Sequence, residues 1–129
     1  MDSIVNKFIS AINTHSVNEI IKLVSDDHRS IDSSGIELSG KEKLRKAWTE
    51  YFKMFPDYKI VVEEMFSGEK TAAIIGKASG TFTKNGILKP KNKWQIPAAW
   101  YTVKENDLIK IWQIFADVFP IIQIMDKEK

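Results

Sequence analysis

The chain has 129 residues, of which 43% are hydrophobic, 28% charged and 11% aromatic, the size and balance of one globular domain. That composition excludes a disordered chain, and the absence of cysteine excludes disulfide frameworks, thiolate metal sites and cysteine nucleophiles. Lys and Arg number 19 against 17 Asp and Glu, and a net charge of +2 argues against a nucleic-acid or anionic-membrane partner.

The first segment reads as a helix, because Ile4, Val5, Phe8, Ile9 and Ile12 recur at spacings of three and four. No charged start followed by an apolar block marks a signal peptide, and no run is long enough to span a bilayer. Without cysteines to oxidise, the expected compartment is the cytoplasm. Ser16 and Glu19 form a capping box for a second short helix with Ile20, Ile21, Leu23 and Val24 as its apolar side. Asp26 to Asp32 is polar with a short strand expected around Ile31, and Ser33-Ser34-Gly35 is a turn. Ser39 and Glu42 repeat the capping box ahead of a third helix. Leu44, Trp48, Tyr51, Phe52 and Phe55 share its face and Pro56 ends it.

The second half reads as strands. Tyr58 to Phe66, Thr71 to Thr83, Trp94 to Val103 and Leu108 to Asp117 are rich in β-branched and aromatic residues. Turns fall at Ser67-Gly68-Glu69-Lys70, Asn85-Gly86 and Glu105-Asn106-Asp107, and Pro97 marks a bulge or an edge. Pro120 breaks the apolar tail from Phe119 to Met125. Three helices followed by a four-strand meander predict an α+β domain, with no repeat or linker dividing residues 1–129. The basic cluster Lys84, Lys89, Lys91 and Lys93 reads as a solvated loop.

Asp117 ends an otherwise apolar run. Alternation places it on one strand face with Ile109, Ile111, Gln113 and Phe115. A carboxylate on an apolar face is desolvated, which raises its pKa and suits general acid or base work. The same residue also reads as a cap at the end of the strand. Asp32 and His28 precede the third helix; His28 titrates near neutral pH and could move a proton, whereas both also fit an ordinary turn. His15 reads as a helix-end residue. No His-Glu-x-x-His pattern, P-loop, Gly-x-Gly-x-x-Gly or Gly-x-Ser-x-Gly is present, so neither metal, nucleotide nor serine-hydrolase chemistry has a motif. Trp48, Tyr51, Phe52 and Trp100 are core aromatics that also suit an apolar pocket, with Tyr51 and Gln113 as its inward polar groups. The pattern leaves open which way Trp94, Trp100 and Trp112 face; one sheet surface, with Trp112 a candidate for it, faces outward, and an isologous dimer would cover it.

Several pieces occur in a set order: the Phe8-to-Ile12 helix, Asp26-Asp27, Leu38-Ser39-Gly40-Lys41-Glu42, Tyr51 to Tyr58, Ile96-Pro97-Ala98-Ala99-Trp100, and Ile111 to Asp117. Together they resemble the SnoaL-like branch of the nuclear transport factor 2-like superfamily, which also holds ketosteroid isomerase. The resemblance implies a cone-shaped barrel, three N-terminal helices on a strongly curved, mostly antiparallel sheet enclosing an apolar pocket. It also implies a homodimer packed through the outer sheet face. By the same resemblance Asp117 matches the acid/base of the SnoaL-type cyclases, and Asp32 the proton-abstracting aspartate of the isomerase. The isomerase's oxyanion-hole tyrosine and second aspartic acid have no evident counterpart, nor has the Asn-Arg-Asp set of the epoxide hydrolases. The implied function is a cofactor-independent isomerase or cyclase acting on an apolar carbonyl compound by proton transfer at Asp117, with Asp32 or His28 as partner. Trp48, Tyr51, Phe52, Trp100 and Phe115 would shape its pocket and Gln113 would bond a substrate oxygen. The alternative is a non-catalytic ligand-binding or dimeric interaction module of the same fold.

Overall fold

A computed structural model describes residues 2–129. Helix α1 (Ser3–Asn13) starts at Asp2, whose carboxylate accepts a hydrogen bond from the Val5 N–H at 3.2 Å, and it buries Val5, Phe8, Ile9, Ala11 and Ile12. Helix α2 (Val17–Lys22) follows, and α3 (Lys41–Met54) closes the first half. Neither expected capping box forms. Ser16 occupies the N-cap of α2 without a side-chain bond to it, and Gly40, at φ +96°, is the N-cap of α3 in place of Ser39.

The sheet has six strands: β1 (Val24–Ile31), β2 (Glu37–Ser39), β3 (Lys59–Ser67), β4 (Thr71–Thr81), β5 (Lys93–Glu105) and β6 (Leu108–Phe115). Their order is β2-β1-β6-β5-β4-β3, with β1 and β6 parallel and every other pair antiparallel. The sheet is open and curved, and the helices cover its inner face. The four expected strands are present. Strand β1 is much longer than the segment expected around Ile31, because its polar outer residues conceal a face on which Val24 and His28 are buried. Pairing with β6 supplies what its side chains do not advertise.

Three further expectations are corrected. Asn85-Gly86 does not close a two-residue hairpin. Residues 82–92 form a wider loop with a 3-10 turn at Pro90–Asn92, and the Asn85 side chain accepts from Ile87 N–H instead. Pro120 starts rather than breaks structure. It lies in the first turn of a fourth helix, α4 (Phe119–Lys127), where its missing N–H has no helical partner to lose. Trp112 faces inward, whereas Gln113 and Phe115 face outward beside Tyr101 and Ala99. The shift comes from a bulge between Val103 and Lys104, not at Pro97, through which the β4–β5 register runs unbroken. Pro97 does lie where β5 borders β4 alone, since pairing with β6 ends at Ala99 and Phe115.

Edge strand β3 bulges between Val62 and Glu64 over Gly76. A Cβ at Gly76 would lie 1.9 Å from the Val61 carbonyl oxygen, a backbone atom that cannot swing away. Gly76→Ala is therefore expected to force β3 off β4 and cost about 3 kcal/mol. Urea denaturation checks this, and an unchanged midpoint would show that the bulge does not need glycine.

Candidate functional site

The inner face of β5 presents Trp94, Ile96, Ala98, Trp100 and Thr102, all buried. At its Trp94 end it meets α3. The Trp94 ring is edge-on to Phe55 at 5.4 Å and 6.2 Å from Tyr58, while Tyr51 is edge-on to Tyr58 at 5.0 Å. Gly80 makes this possible, because a Cβ there would lie 3.0 Å from the Trp94 ring. Trp48, half-buried, packs on Phe52 at 5.2 Å, and the His15 ring stacks on Phe52 at 4.0 Å, with Nε2–H donating to the Tyr58 carbonyl at 2.9 Å. Burial pushes the Tyr51 and Tyr58 hydroxyls well above the usual phenol range, so both remain protonated donors.

At the opposite end of β5, Thr102 lies level with Trp112 on β6. Trp112 stacks on Trp100 at 6.3 Å and takes the Phe8 ring edge-on at 4.9 Å. His28, 3% exposed, is 6.5 Å from Phe8 in the same cluster. Its Nδ1–H donates to the Ile109 carbonyl at 2.8 Å, since a carbonyl oxygen can only accept. That contact fixes the tautomer and leaves Nε2 with a lone pair. Burial lowers the His28 pKa, and the Ile109 carbonyl and Asp27 oppose it only in part, so the ring is neutral at physiological pH.

Three buried side-chain atoms have no hydrogen-bond partner among the described residues: His28 Nε2, Trp94 Nε1 and Thr102 Oγ1. All three sit in the layer between sheet and helices. Sequence reasoning had reached His28 but not Thr102, Tyr58 or the free Trp94 N–H; an inward polar residue amid alternating apolar ones was the available signal at Thr102.

The two expected carboxylates lie elsewhere. Asp117, exposed and beyond the end of β6, accepts from the Phe119 N–H at 3.0 Å and so caps the entry to α4. Asp32, also exposed, accepts from Ser34 N–H at 2.8 Å and Ile36 N–H at 3.0 Å in the β1–β2 turn. Neither joins His28 in the interior. Of the expected pocket residues, Trp48, Tyr51, Phe52 and Trp100 face the interior; Gln113 and Phe115 belong to the outer face, for the parity reason given above. An open cleft of about 550 Å³ lies outside this layer, between the start of α1 and the β3–β4 and β5–β6 turns. Its buried Asp2 pairs with the half-buried Lys104 at 2.5 Å. Among the described residues no group of three His, Asp or Glu is placed to hold a metal, and no helix is long and apolar enough to cross a membrane.

The sequence profile of the SnoaL-like domain family matches residues 5–112. No curated protein matches the chain. Among solved structures it resembles a proposed SnoaL-like polyketide cyclase from Shewanella denitrificans, with a TM-score of 0.82, 13% identity, and 97% and 96% of the two chains covered. A hypothetical protein with a ketosteroid isomerase-like fold from Catenulispora acidiphila, solved with trimethylamine, gives 0.79, 14%, 93% and 89%. An NTF2-like protein of unknown function from Cytophaga hutchinsonii gives 0.68, 22%, 92% and 91%. At these identities the likeness is one of fold.

A histidine whose pKa is lowered by folding favours the folded state while neutral. Its contribution is complete above the unfolded-state value of 6.5 and is lost as pH falls from there through the lower folded-state value. Urea midpoints should therefore drop between neutral pH and about pH 5, and His28→Gln should flatten that part of the profile. An identical profile in the variant would remove His28 from the account.

Proposed function

We propose, for a chain that belongs to the SnoaL-like domain family, that the layer between sheet and helices is a small-molecule site in which neutral His28 accepts a proton from an apolar carbonyl compound. The observation that carries this reading is the unpartnered Nε2, a buried lone pair on a ring whose tautomer a backbone carbonyl has already set. A base of that kind takes a proton from carbon next to a carbonyl, leaving an imidazolium and an enolate. Return of the same proton to another position isomerises the compound, and attack of the enolate carbon on a second carbonyl cyclises it. Thr102, an unpartnered hydroxyl at the same end of β5, supplies a donor for the ligand's oxygen. No step calls for a metal or a cofactor. Asp117 and Asp32 take no direct part in this scheme, since each already serves a turn.

A second reading has its own support. No aspartate from the expected set faces the interior, so the same layer could bind an apolar ligand without turning it over. Ketones with exchangeable α-protons, incubated with the protein in D₂O and followed by NMR, separate the two. Exchange that falls about 10²–10⁴-fold in His28→Gln supports the proton-transfer reading. Tryptophan quenching without exchange establishes a binding protein, and neither signal for any ketone ends both.

The same reading includes a homodimer through the outer sheet face and a cytoplasmic setting. Phe66, Ala73, Tyr101 and Gln113 lie level across β3 to β6, with Ile75, Ala99 and Phe115 in the next row. Phe66 is 57%, Phe115 54% and Ile75 42% exposed, a contiguous apolar surface that a second copy would cover. Light scattering should report a dimer that Tyr101→Glu/Phe115→Glu converts to monomer; a monomeric wild-type chain refutes it.

A further inference from the structure

The balanced net charge conceals an uneven distribution. The Thr83 N–H donates to the Met54 carbonyl, fixing the start of the 82–92 loop to the end of α3. The Asn92 amide donates to the Phe82 carbonyl and to the Glu128 carboxylate at 2.6 Å, and the Lys84 ammonium donates to the Glu128 carbonyl, so the loop and the end of α4 form one surface. Six lysines (Lys84, Lys89, Lys91, Lys93, Lys127 and Lys129) meet two acids there, Asp126 and Glu128, for a side-chain charge of +4. The whole chain carries +2, so the remaining side chains sum to −2. The Asn92 amide holds the Glu128 carboxyl below its usual range, and Lys89, Lys91 and Lys84 add to the pull, so this acid stays ionised and only partly offsets its neighbours.

In this basic loop stand two large exposed apolar side chains: Ile87 is 62% and Leu88 43% exposed. Gly86, at φ +86°, turns the backbone there. A nucleic acid would be held by the lysines alone and would leave Ile87 and Leu88 in water. A folded partner would need a surface shaped to two exposed apolar side chains among these lysines. A fluid bilayer accepts them directly, with lysine stems lying along the acyl boundary and their ammonium groups at the phosphates.

We propose that the 84–93 loop, with the end of α4, docks this protein on an anionic lipid surface, Ile87 and Leu88 entering the headgroup layer and the surrounding lysines pairing with lipid phosphates. The docking is peripheral and reversible. The loop joins the end of α3, where Phe55 packs on both Phe82 and Trp94, so docking sets that end of the aromatic layer towards the bilayer. The inference stands on the loop alone and does not need the His28 chemistry.

The test is cosedimentation of the full chain with phosphatidylcholine vesicles and with vesicles carrying about one third phosphatidylglycerol, at low and at physiological salt. Binding is expected only to the anionic vesicles and should weaken as salt rises. Lys89→Gln/Lys91→Gln should weaken it by roughly 25-fold, at about fivefold for each lysine. Ile87→Ser/Leu88→Ser, which keeps every charge, should weaken it by about tenfold or more. Both variants replace exposed side chains, and unchanged circular dichroism and melting confirm that they fold. Failure of the wild-type chain to bind anionic vesicles at low salt overturns the proposal. So does a serine variant that binds as wild type, or a chain that single-stranded DNA strips from the vesicles equally well in wild type and serine variant, because the surface is then a general polyanion patch.

Discussion

Strand β5 runs for 13 residues between two antiparallel neighbours, and its period-two alternation decides which side chains the helices must cover. Trp94, Ile96, Ala98, Trp100 and Thr102 form one continuous inner row. Large aromatics stand towards its two ends and small Ala98 in the middle. Each end then selects its own cover: α3 brings Phe55 to Trp94, and α1 brings Phe8 to Trp112 beside Thr102. The glycines follow from the same row, since Gly80 must stay bare for the Trp94 ring to fit. A single residue of slip in β5 would send three tryptophan contacts to the solvent face, which is why register here is strongly determined.

That alternation also separates what could be read from the sequence from what could not. Helix α1, helix α3 and the four long strands were legible, because their apolar spacing is strong and their turns are chemically explicit. Strand β6 was legible as a strand but not in its parity. Ile109 and Trp112 are both buried although three residues apart, which unbroken alternation forbids; the extra residue at the Val103–Lys104 bulge makes it possible. No residue type announces that bulge, whereas Pro97, which does draw attention, sits in a regular ladder. Strand β1 was hidden for a different reason. It earns its place by pairing with β6 across a long stretch of chain, and a run such as Asp26-Asp27-His28-Arg29 has little local preference to show. Asp117 illustrates the same limit: it was expected inside a strand that in fact ends at Phe115, and the alternative reading of it as a strand-end cap had no helix to point to, because Pro120 was expected to break the tail rather than start α4.

The interior carries a tension that packing alone does not resolve. A buried polar atom without a partner costs about 1–3 kcal/mol, and three remain among the described residues. Trp94 and Thr102 are eight residues apart on one strand, about 26 Å, so no single small molecule satisfies both. The layer thus has two polar stations of opposite character. At the α3 end the free group is an N–H donor among protonated tyrosines; at the α1 end it is a histidine lone pair on β1, with a hydroxyl two strands away on β5. Only the second can accept a proton, and its neutral state is secured by the same burial that makes it costly.

Charge is segregated along the same axis. Antiparallel β4 and β5 place their connecting loop, with Lys84, Lys89 and Lys91, at one end of the sheet. The opposite end holds the cleft lined by Glu69, Glu105 and Asp107 around the closed Asp2–Lys104 pair. A molecule polarised in this way turns in the field of an anionic surface before it touches it, basic loop foremost and acidic cleft away. Orientation costs such a molecule little, because the strand pairing that builds the core already holds the two charge clusters apart. The outer sheet face, which runs between these ends rather than at either, stays clear of that encounter, so covering it with a second copy and presenting the basic loop are compatible demands on one fold.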